Sequence, residues 1–146
     1  MKIRDIMSEG VATTSENESI IRAAIKMAEE NVGSLVVVEG GMVYGIITDR
    51  DIIVGCIAEA HDAGQCTVMQ HMSAPVVTVG EDDDALQAAH LMTTKRVKRL
   101  PVVDRSRLVG LVSVADVAKS MERPLFDLLE SIGLDVPKRP GSPAIR

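Results

Sequence analysis

Two copies of one short motif contain the residues of this chain that are best suited to chemistry. The motif reads Gly-x-x-Thr-x-x-Asp at residues 45–51 and Gly-x-x-Ser-x-x-Asp at residues 110–116. In each copy the hydroxyl residue lies where a predicted strand gives way to a helix, beside free amide groups and the positive end of the helix dipole. Such a position suits a phosphate-sized anion. One helical turn later, the carboxylate can accept hydrogen bonds from both hydroxyl groups of a ribose. The pairs are Thr48 with Asp51 and Ser113 with Asp116.

The same spacing also fits a purely structural role. A hydroxyl residue followed three positions later by an acid is a capping box, which satisfies the free amides of a helix start with no ligand bound. This alternative stays open. The recurrence of the glycine at the same place in both copies favours the binding function.

The two motifs lie 65 residues apart because most of the chain repeats at that spacing. Met7 aligns with Met72, and the register continues without a gap to Asp51 and Asp116. Two copies of one supersecondary unit imply an approximate two-fold axis, which creates paired clefts between the copies. A binding function is therefore expected in those clefts.

Each copy has the pattern of a short leading segment, a brief strand, a helix, a strand hairpin and a second helix. In the first copy, helical spacing predicts a helix over roughly residues 18–30, and β-branched runs around a Gly-Gly turn predict the hairpin. In the second copy, the acidic run at residues 82–84 predicts a helix start. We predict an α/β (α+β) fold in which two pseudo-symmetric β-α-β-β-α repeats form one compact module.

The repeat also sets the expected boundaries. The first repeat is predicted over residues 1–60, a linker over 61–67 and the second repeat over 68–122. A C-terminal helix is expected over residues 123–136, with Pro124 in its first turn. The proline-rich end, residues 137–146, is predicted to be a disordered tail.

Composition argues against a nucleic-acid-binding or membrane protein. The net charge is −5 at pH 7, and Tyr44 and Phe126 are the only aromatic residues, so platforms on which bases could stack are scarce. No apolar run is long enough to cross a bilayer. Two cysteines are too few for a disulfide framework and favour a reducing compartment, so the cytoplasm is the expected location.

Cys56, His61, Cys66 and His71 are evenly spaced by five residues, which raises the question of a zinc site. On one helix, five residues turn by about 140°, so these side chains would not share a face. No Cys-x-x-Cys pair is present, although structural zinc sites usually contain one. We therefore expect no metal site. No histidine lies in a motif that would activate a nucleophile, so we predict no catalytic residue.

The double repeat resembles a tandem pair of CBS domains, the cystathionine-β-synthase type of repeat. The resemblance rests on Gly-x-x-Thr/Ser-x-x-Asp near the end of each copy and on Leu-Pro-Val-Val-Asp at residues 100–104, and it covers approximately residues 1–122. It implies a regulatory module without catalysis and without a required cofactor. It also implies that an adenosine-containing ligand, such as AMP, ADP, ATP or S-adenosylmethionine, binds in the clefts between the copies.

The resemblance further implies roles for individual residues. The motif hydroxyl (Thr48 or Ser113) would contact phosphate, and the motif aspartate (Asp51 or Asp116) would contact ribose. Backbone groups of the first short strand and of the segment before the hairpin would hold the base. These groups lie near Val11, Thr13 and Val32 in the first copy, and near Val76, Thr78 and Val97 in the second.

The copies differ in charge before the hairpin. The second copy has the basic run Lys-Arg-Val-Lys-Arg at residues 95–99, where the first has Glu-Asn-Val-Gly-Ser at residues 30–34. Lys98 or Arg99 from one copy and Arg50 from the other are candidates to neutralise a phosphate, with a solvated face as the alternative. We expect the cleft of the second motif to prefer phosphorylated ligands. The cleft of the first motif is expected to be weaker or to take a neutral adenosyl group.

Two other functions remain open at this point. One is a structural dimerisation module with empty clefts, and the other is a nucleic-acid-binding regulator that uses the basic run. We expect a homodimer, because a tandem pair leaves apolar helix faces that a second protomer can cover. The helix at residues 124–132 would pack on its own module or on the partner. With no effector domain in the sequence, an unidentified client protein would receive the signal.

Overall fold

One six-stranded sheet joins the two repeats. The computed structural model describes residues 1–133, without the side chains of residues 123, 126 and 129. The strands lie in the order β1-β2-β3-β6-β5-β4. Their bounds are β1 Thr13–Thr14, β2 Ser34–Glu39, β3 Met42–Thr48, β4 Val79–Gly80, β5 Arg99–Asp104 and β6 Arg107–Ser113. The two hairpins meet at the centre, where Met42 pairs with Arg107, and each short parallel strand lies at an outer edge.

The helices follow the same order in both copies. They are α1 Ile20–Glu30, α2 Asp49–Asp51, α3 Val68–His71, α4 Ala85–Lys95 and α5 Val114–Ser131. A single 3-10 turn, Ile3–Asp5, precedes them, and α2 continues as a more widely wound segment, Ile52–Ile57, with π-helical hydrogen bonds. The predicted β-α-β-β-α order and the α/β fold class are therefore confirmed. None of the helices in residues 1–133 is long and apolar enough to span a bilayer.

Local sequence explains where the long helices begin and end. Ser19 caps α1 by accepting a hydrogen bond from the Arg22 amide, and the Asp84 carboxylate accepts from two amides at the start of α4. Asn31 and Arg96 end these helices in the left-handed conformation at equivalent positions of the two copies. Each helix therefore ends just before the strand that leads into its hairpin.

The leading segment of each copy packs on the other copy; it contains Ile3 in the first copy and Val68 in the second. Ile3 is fully buried in a core formed otherwise by second-copy residues, and its amide donates to the Asp83 carbonyl oxygen at 2.9 Å. In the same way, Val68 is fully buried in the core of the first copy, and its amide donates to the Glu18 carbonyl oxygen at 2.8 Å. Packing therefore crosses the boundaries predicted from the repeat, and each half is completed by the leading segment of the other.

The expected separate helix beginning at Pro124 is wrong. Pro124 lies inside α5, which runs continuously from Val114 to Ser131. An interior proline removes one helical hydrogen bond, but a new helix start would leave four amides without helical partners. The continuous helix therefore loses fewer hydrogen bonds. The predicted tail, residues 137–146, and the last residues of the predicted segment 123–136 lie outside the described residues.

Candidate functional site

The first motif forms a capping box that leaves polar atoms free. The Asp51 amide donates to Thr48 Oγ1 at 3.1 Å, and the Thr48 amide donates to Asp51 Oδ2 at 2.9 Å. Within residues 1–133, Asp51 Oδ1 has no partner and the Thr48 hydroxyl hydrogen has no acceptor. The capping alternative is therefore correct as a description of local structure. It does not exhaust the motif, because one donor and one acceptor remain for a ligand.

The second motif uses its hydroxyl group more fully. The Asp116 amide donates to Ser113 Oγ at 3.2 Å, and the Ser113 amide donates to Asp116 Oδ2 at 2.8 Å. In addition, Ser113 Oγ donates to Asp116 Oδ2 at 2.9 Å. The Ser113 hydroxyl hydrogen is therefore already used in a hydrogen bond within the capping box. The two motifs are alike in sequence but differ in what they can offer to a ligand.

The motif glycines let the other copy's leading segment approach closely. A Cβ atom at Gly45 would lie 2.8 Å from the carbonyl oxygen of Ser73, and one at Gly110 would lie 3.1 Å from that of Ser8. A larger residue at either position would push the neighbouring segment away. At the first position, reciprocal hydrogen bonds between Ile46 and Ser73 fix the segment in place. The leading segment of the second copy therefore lies beside the first motif.

A cavity of about 540 Å³ lies where these parts meet. Its lining combines the first motif with the leading segment and the basic run of the second copy. The residues are Ile46, Thr48, Asp49, Arg50, Asp51, Ser73, Pro75, Val76, Val77, Lys95, Arg96, Val97, Lys98, Arg99 and Leu100. Its size falls within the range of small-molecule sites.

The cavity lining is positively charged, although the whole chain is acidic. Five cations, namely Arg50 and four residues of the basic run, face two carboxylates, Asp49 and Asp51. Within residues 1–133, none of these cations forms an ion pair with a carboxylate, whereas the N-terminal residues Met1, Lys2 and Arg4 do. Unpaired cations around a concave surface attract an anion.

The basic run lies in a different cleft from the one we expected. We expected the basic run to serve the cleft of Ser113 and Asp116, but Lys98 and Arg99 line the cavity of the other motif. Ser113 and Asp116 do not line it. The physical reason is the exchange of leading segments, which places the second copy's residues opposite the first copy's motif.

The residues expected to hold a base are divided between two cavities. Val76 and Val97 line the large cavity, and Thr78 does not; its neighbour Val77 does. Val11 and Thr13 line a separate cavity of about 320 Å³ together with residues of the central strands. Val32 is exposed and lines neither cavity. Lys95 and Arg96, which we had not predicted as site residues, also line the large cavity and belong to the basic run at residues 95–99.

Val77 and its counterpart in the first copy, Ala12, differ in their backbone hydrogen bonds. In the first copy, the Val36 amide donates to the Ala12 carbonyl oxygen at 3.1 Å. The residue equivalent to Val36 is Pro101, which has no N–H. Within residues 1–133, the Val77 backbone consequently has no hydrogen bond. The carbonyl of Val77, a residue of the cavity lining, therefore lacks the partner that its counterpart has in the first copy.

The cysteine and histidine residues also lie differently from our expectation. These residues do not lie on one helix, because the helical segment ends at Ile57 and the chain turns back before α3. As a result, the ligand atoms of Cys56, Cys66 and His71 all lie within 4.8 Å of one another. Burial raises the pKa of the Cys56 thiol, and the neighbouring Cys66 thiol raises it further.

Comparisons with known proteins agree with this architecture. The CBS domain profile matches residues 3–55 and 68–123. The CBS domain-containing protein YhcV of Bacillus subtilis is 40% identical over 116 residues, which are 80% of this chain and 82% of YhcV.

Two solved structures share the fold. The CBS domain pair of protein MJ0100, in complex with 5-methylthioadenosine and S-adenosyl-L-methionine, is 29% identical with a TM-score of 0.76, and the match covers 85% of this chain and 98% of that chain. Hypoxic Response Protein I, crystallised with two coordinated zinc ions, is 31% identical with a TM-score of 0.74, over 82% of this chain and 98% of that chain. The chain belongs to the CBS-domain family and is a CBS domain pair, a regulatory type of module.

Proposed function

We propose that the cavity between the two repeats binds an adenosine nucleotide that carries phosphate groups, and that its occupancy regulates a client protein in the cytoplasm. The observation that carries this proposal is the meeting of Thr48 and Asp51 with the unpaired cations of the basic run in one cavity. No catalytic step and no required cofactor form part of the proposal.

Each part of such a ligand has a chemically matched group in the lining. The free Thr48 hydroxyl can donate to a phosphate, whose charge Arg50, Lys98 and Arg99 would balance. Asp51 Oδ1 can accept from a ribose hydroxyl. The unpartnered Val77 carbonyl can accept from the exocyclic amine of adenine.

The bound ligands of the MJ0100 domain pair support the adenosyl part of the proposal. Both 5-methylthioadenosine and S-adenosyl-L-methionine contain adenine and ribose, and neither contains a phosphate group. The basic run is therefore the feature from which we infer a phosphorylated ligand here. For the cleft of Ser113 and Asp116, we propose weaker binding or a neutral adenosyl group.

Calorimetric titration of the full chain with ATP, ADP, AMP, adenosine and S-adenosylmethionine tests the proposal. Asp51→Ala is expected to weaken binding of the preferred nucleotide by about 10- to 150-fold, the equivalent of one charge-assisted hydrogen bond. Asp116→Ala is the matched control, because it removes the same cap atoms 65 residues later. Both variants lose the carboxylate that accepts from the N-cap amide, so each should lose about 0.5–1.5 kcal/mol of stability.

Absence of saturable heat with all five ligands would contradict the proposal and favour the structural dimerisation module. Equal loss of affinity in the two variants would contradict the assignment of the ligand to the Thr48/Asp51 cavity. A mobility shift of nucleic acid at physiological salt would instead favour the nucleic-acid-binding alternative, in which the basic run contacts phosphates.

We also infer that the protein forms a homodimer through its helices. On the first repeat, α1 and the segment Ile52–Ile57 carry large apolar side chains that are about half exposed, which are Ile21, Ile25, Ile53, Val54 and Ile57. In each element two of these residues lie four positions apart and so share a helix face. A monomer would leave this apolar surface in water, whereas a second copy can cover it. Ligand binding would then act on the client through the geometry of the two protomers.

A further inference from the structure

A cluster of two thiols and one imidazole lies away from the proposed nucleotide cavity. The Sγ atoms of Cys56 and Cys66 and a ring nitrogen of His71 lie within 4.8 Å of one another, and none of these residues lines that cavity. Cys56 is fully buried, and the other two residues are half-buried. We propose that Cys56, Cys66 and His71 bind a Zn²⁺ ion that joins the linker and α3 to the first repeat.

The donor set and its spacing suit zinc. Two thiolates and an imidazole are preferred ligands of Zn²⁺, at about 2.3 Å for sulfur and about 2.0–2.1 Å for nitrogen. Tetrahedral ligand atoms at these lengths lie about 3.5–3.8 Å apart. The cluster therefore needs to contract by only about 1 Å, which rotation of half-buried side chains can supply.

A second observation points to a missing partner. The Nε2 atom of His71 is buried and has no hydrogen-bond partner within residues 1–133. A buried polar atom without a partner is unfavourable, and a metal ion bound at this nitrogen would satisfy it. Coordination of one ring nitrogen would also fix the ring, so that the other nitrogen could meet a water molecule or backbone group.

His61 is the candidate for the fourth ligand. Its ring centroid lies 5.6 Å from that of His71, and the Cys56 thiol donates a long hydrogen bond to its backbone carbonyl oxygen, with an S···O distance of 3.9 Å. Both histidines line a cavity of about 380 Å³ beside the cluster. Asp62 lines the same cavity, but its Oδ1 already accepts from the Gly64 amide at 2.9 Å. His61 is exposed and free to turn toward the metal.

The position of the site indicates a structural role. Cys56 lies near the end of the helical segment whose start contains Asp51, while Cys66 and His71 lie in the linker and in α3. A metal would tie the exchanged segment to the repeat that it completes. Because binding requires the folded arrangement, zinc would raise the stability of the first half.

Metal titration of the full chain tests this proposal. Protein that has been reduced and stripped with a chelator is titrated with Zn²⁺ in competition with a chromophoric chelator, and separately with Co²⁺. We expect one ion per chain, with the visible bands of tetrahedral Co²⁺ and the near-ultraviolet bands of thiolate bonded to Co²⁺. Cys66→Ser and His71→Gln should each lower the affinity at least about 100-fold, more than the 10- to 100-fold expected for loss of an outer partner.

His90→Gln is the matched control for His71→Gln, because His90 is an exposed histidine on α4, and it should keep the affinity of the parent protein. Circular dichroism of each metal-free variant checks that it remains folded. His61→Gln should lower the affinity and change the Co²⁺ spectrum; an unchanged spectrum would refute the fourth ligand. The zinc site would be refuted if the protein bound no ion or if all variants bound the ion equally. It would also be refuted if mass spectrometry under reducing conditions gave a mass two hydrogens lower, which would indicate a Cys56–Cys66 disulfide.

Discussion

Removal of the last two cations of the basic run should separate phosphate recognition from base and ribose recognition. The perturbation is the double substitution Lys98→Ala with Arg99→Ala. Both side chains line the 540 Å³ cavity, and within residues 1–133 neither has an ion-pair partner to leave behind. The lining would fall from five cations and two carboxylates to three and two.

The expected magnitude follows from the exposure of each side chain. Lys98 is exposed, so its ion pair with a phosphate is worth about 0.2–1 kcal/mol after screening by solvent. Arg99 is half-buried and can donate to two phosphate oxygens at once, which is worth about 1.5–3 kcal/mol. The sum, about 2–4 kcal/mol, corresponds to a loss of about 30- to 900-fold in affinity for ATP. Adenosine, which has no phosphate, should lose less than about 3-fold.

Calorimetry with ATP, AMP and adenosine on the same preparations measures these changes. Arg22→Ala with Lys119→Ala is the control, since it removes two exposed cations that do not line the cavity. Added salt should weaken ATP binding to the parent protein more than to the cavity variant. Equal losses for ATP and adenosine, or an equal loss in the control, would refute the role of the basic run.

Three further predictions concern stability and assembly. Ile3→Ala should lower the free energy of unfolding by about 2–5 kcal/mol in a denaturant titration, because Ile3 is fully buried in the core of the second repeat. A hydrogen bond from Lys2 and the nearby charge of Arg4 lower the pKa of Asp82 from its ordinary value of 3.8. The stabilisation is therefore present above pH 3.8 and is lost as the pH falls through the lower folded value, so Asp82→Asn should flatten this part of the pH–stability curve. Ile53→Glu with Ile57→Glu should convert the proposed dimer to a folded monomer in sedimentation velocity, and a parent protein that sediments as a monomer at micromolar concentration would contradict the proposed dimer.

The repeat made most of the fold predictable. A register kept without a gap from Met7 to Asp51 and from Met72 to Asp116 specifies one supersecondary unit twice. Helical spacing and turn residues then give the order of elements within each unit, and that order is confirmed. The motif also had a visible local role, because a hydroxyl and an acid three residues apart form a cap in both copies.

The sequence did not predict that the leading segment of each copy packs on the other copy. A repeat register says which residues are equivalent, but it does not say whether a leading segment packs on its own copy or on the other. Ile3 and Val68 show that the segments are exchanged, and this exchange decides which motif faces the basic run. The Cys56–Cys66–His71 cluster was missed for a related reason, since spacing along one helix does not describe a chain that turns back.

The departures from symmetry all favour the same cavity, which is why we assign the ligand to it. Pro101 leaves the Val77 carbonyl unpaired, whereas the equivalent carbonyl in the first copy accepts from Val36. The Thr48 hydroxyl keeps its hydrogen free, whereas the Ser113 hydroxyl donates to its own cap. The cations of residues 95–99 line this cavity as well. A two-fold repeat used only for dimerisation would have no need to leave an acceptor, a donor and positive charge unsatisfied on one side of its axis. A phosphorylated nucleotide bound in this cavity would pair with the acceptor, the donor and the positive charge at once, which is why we assign such a ligand to it.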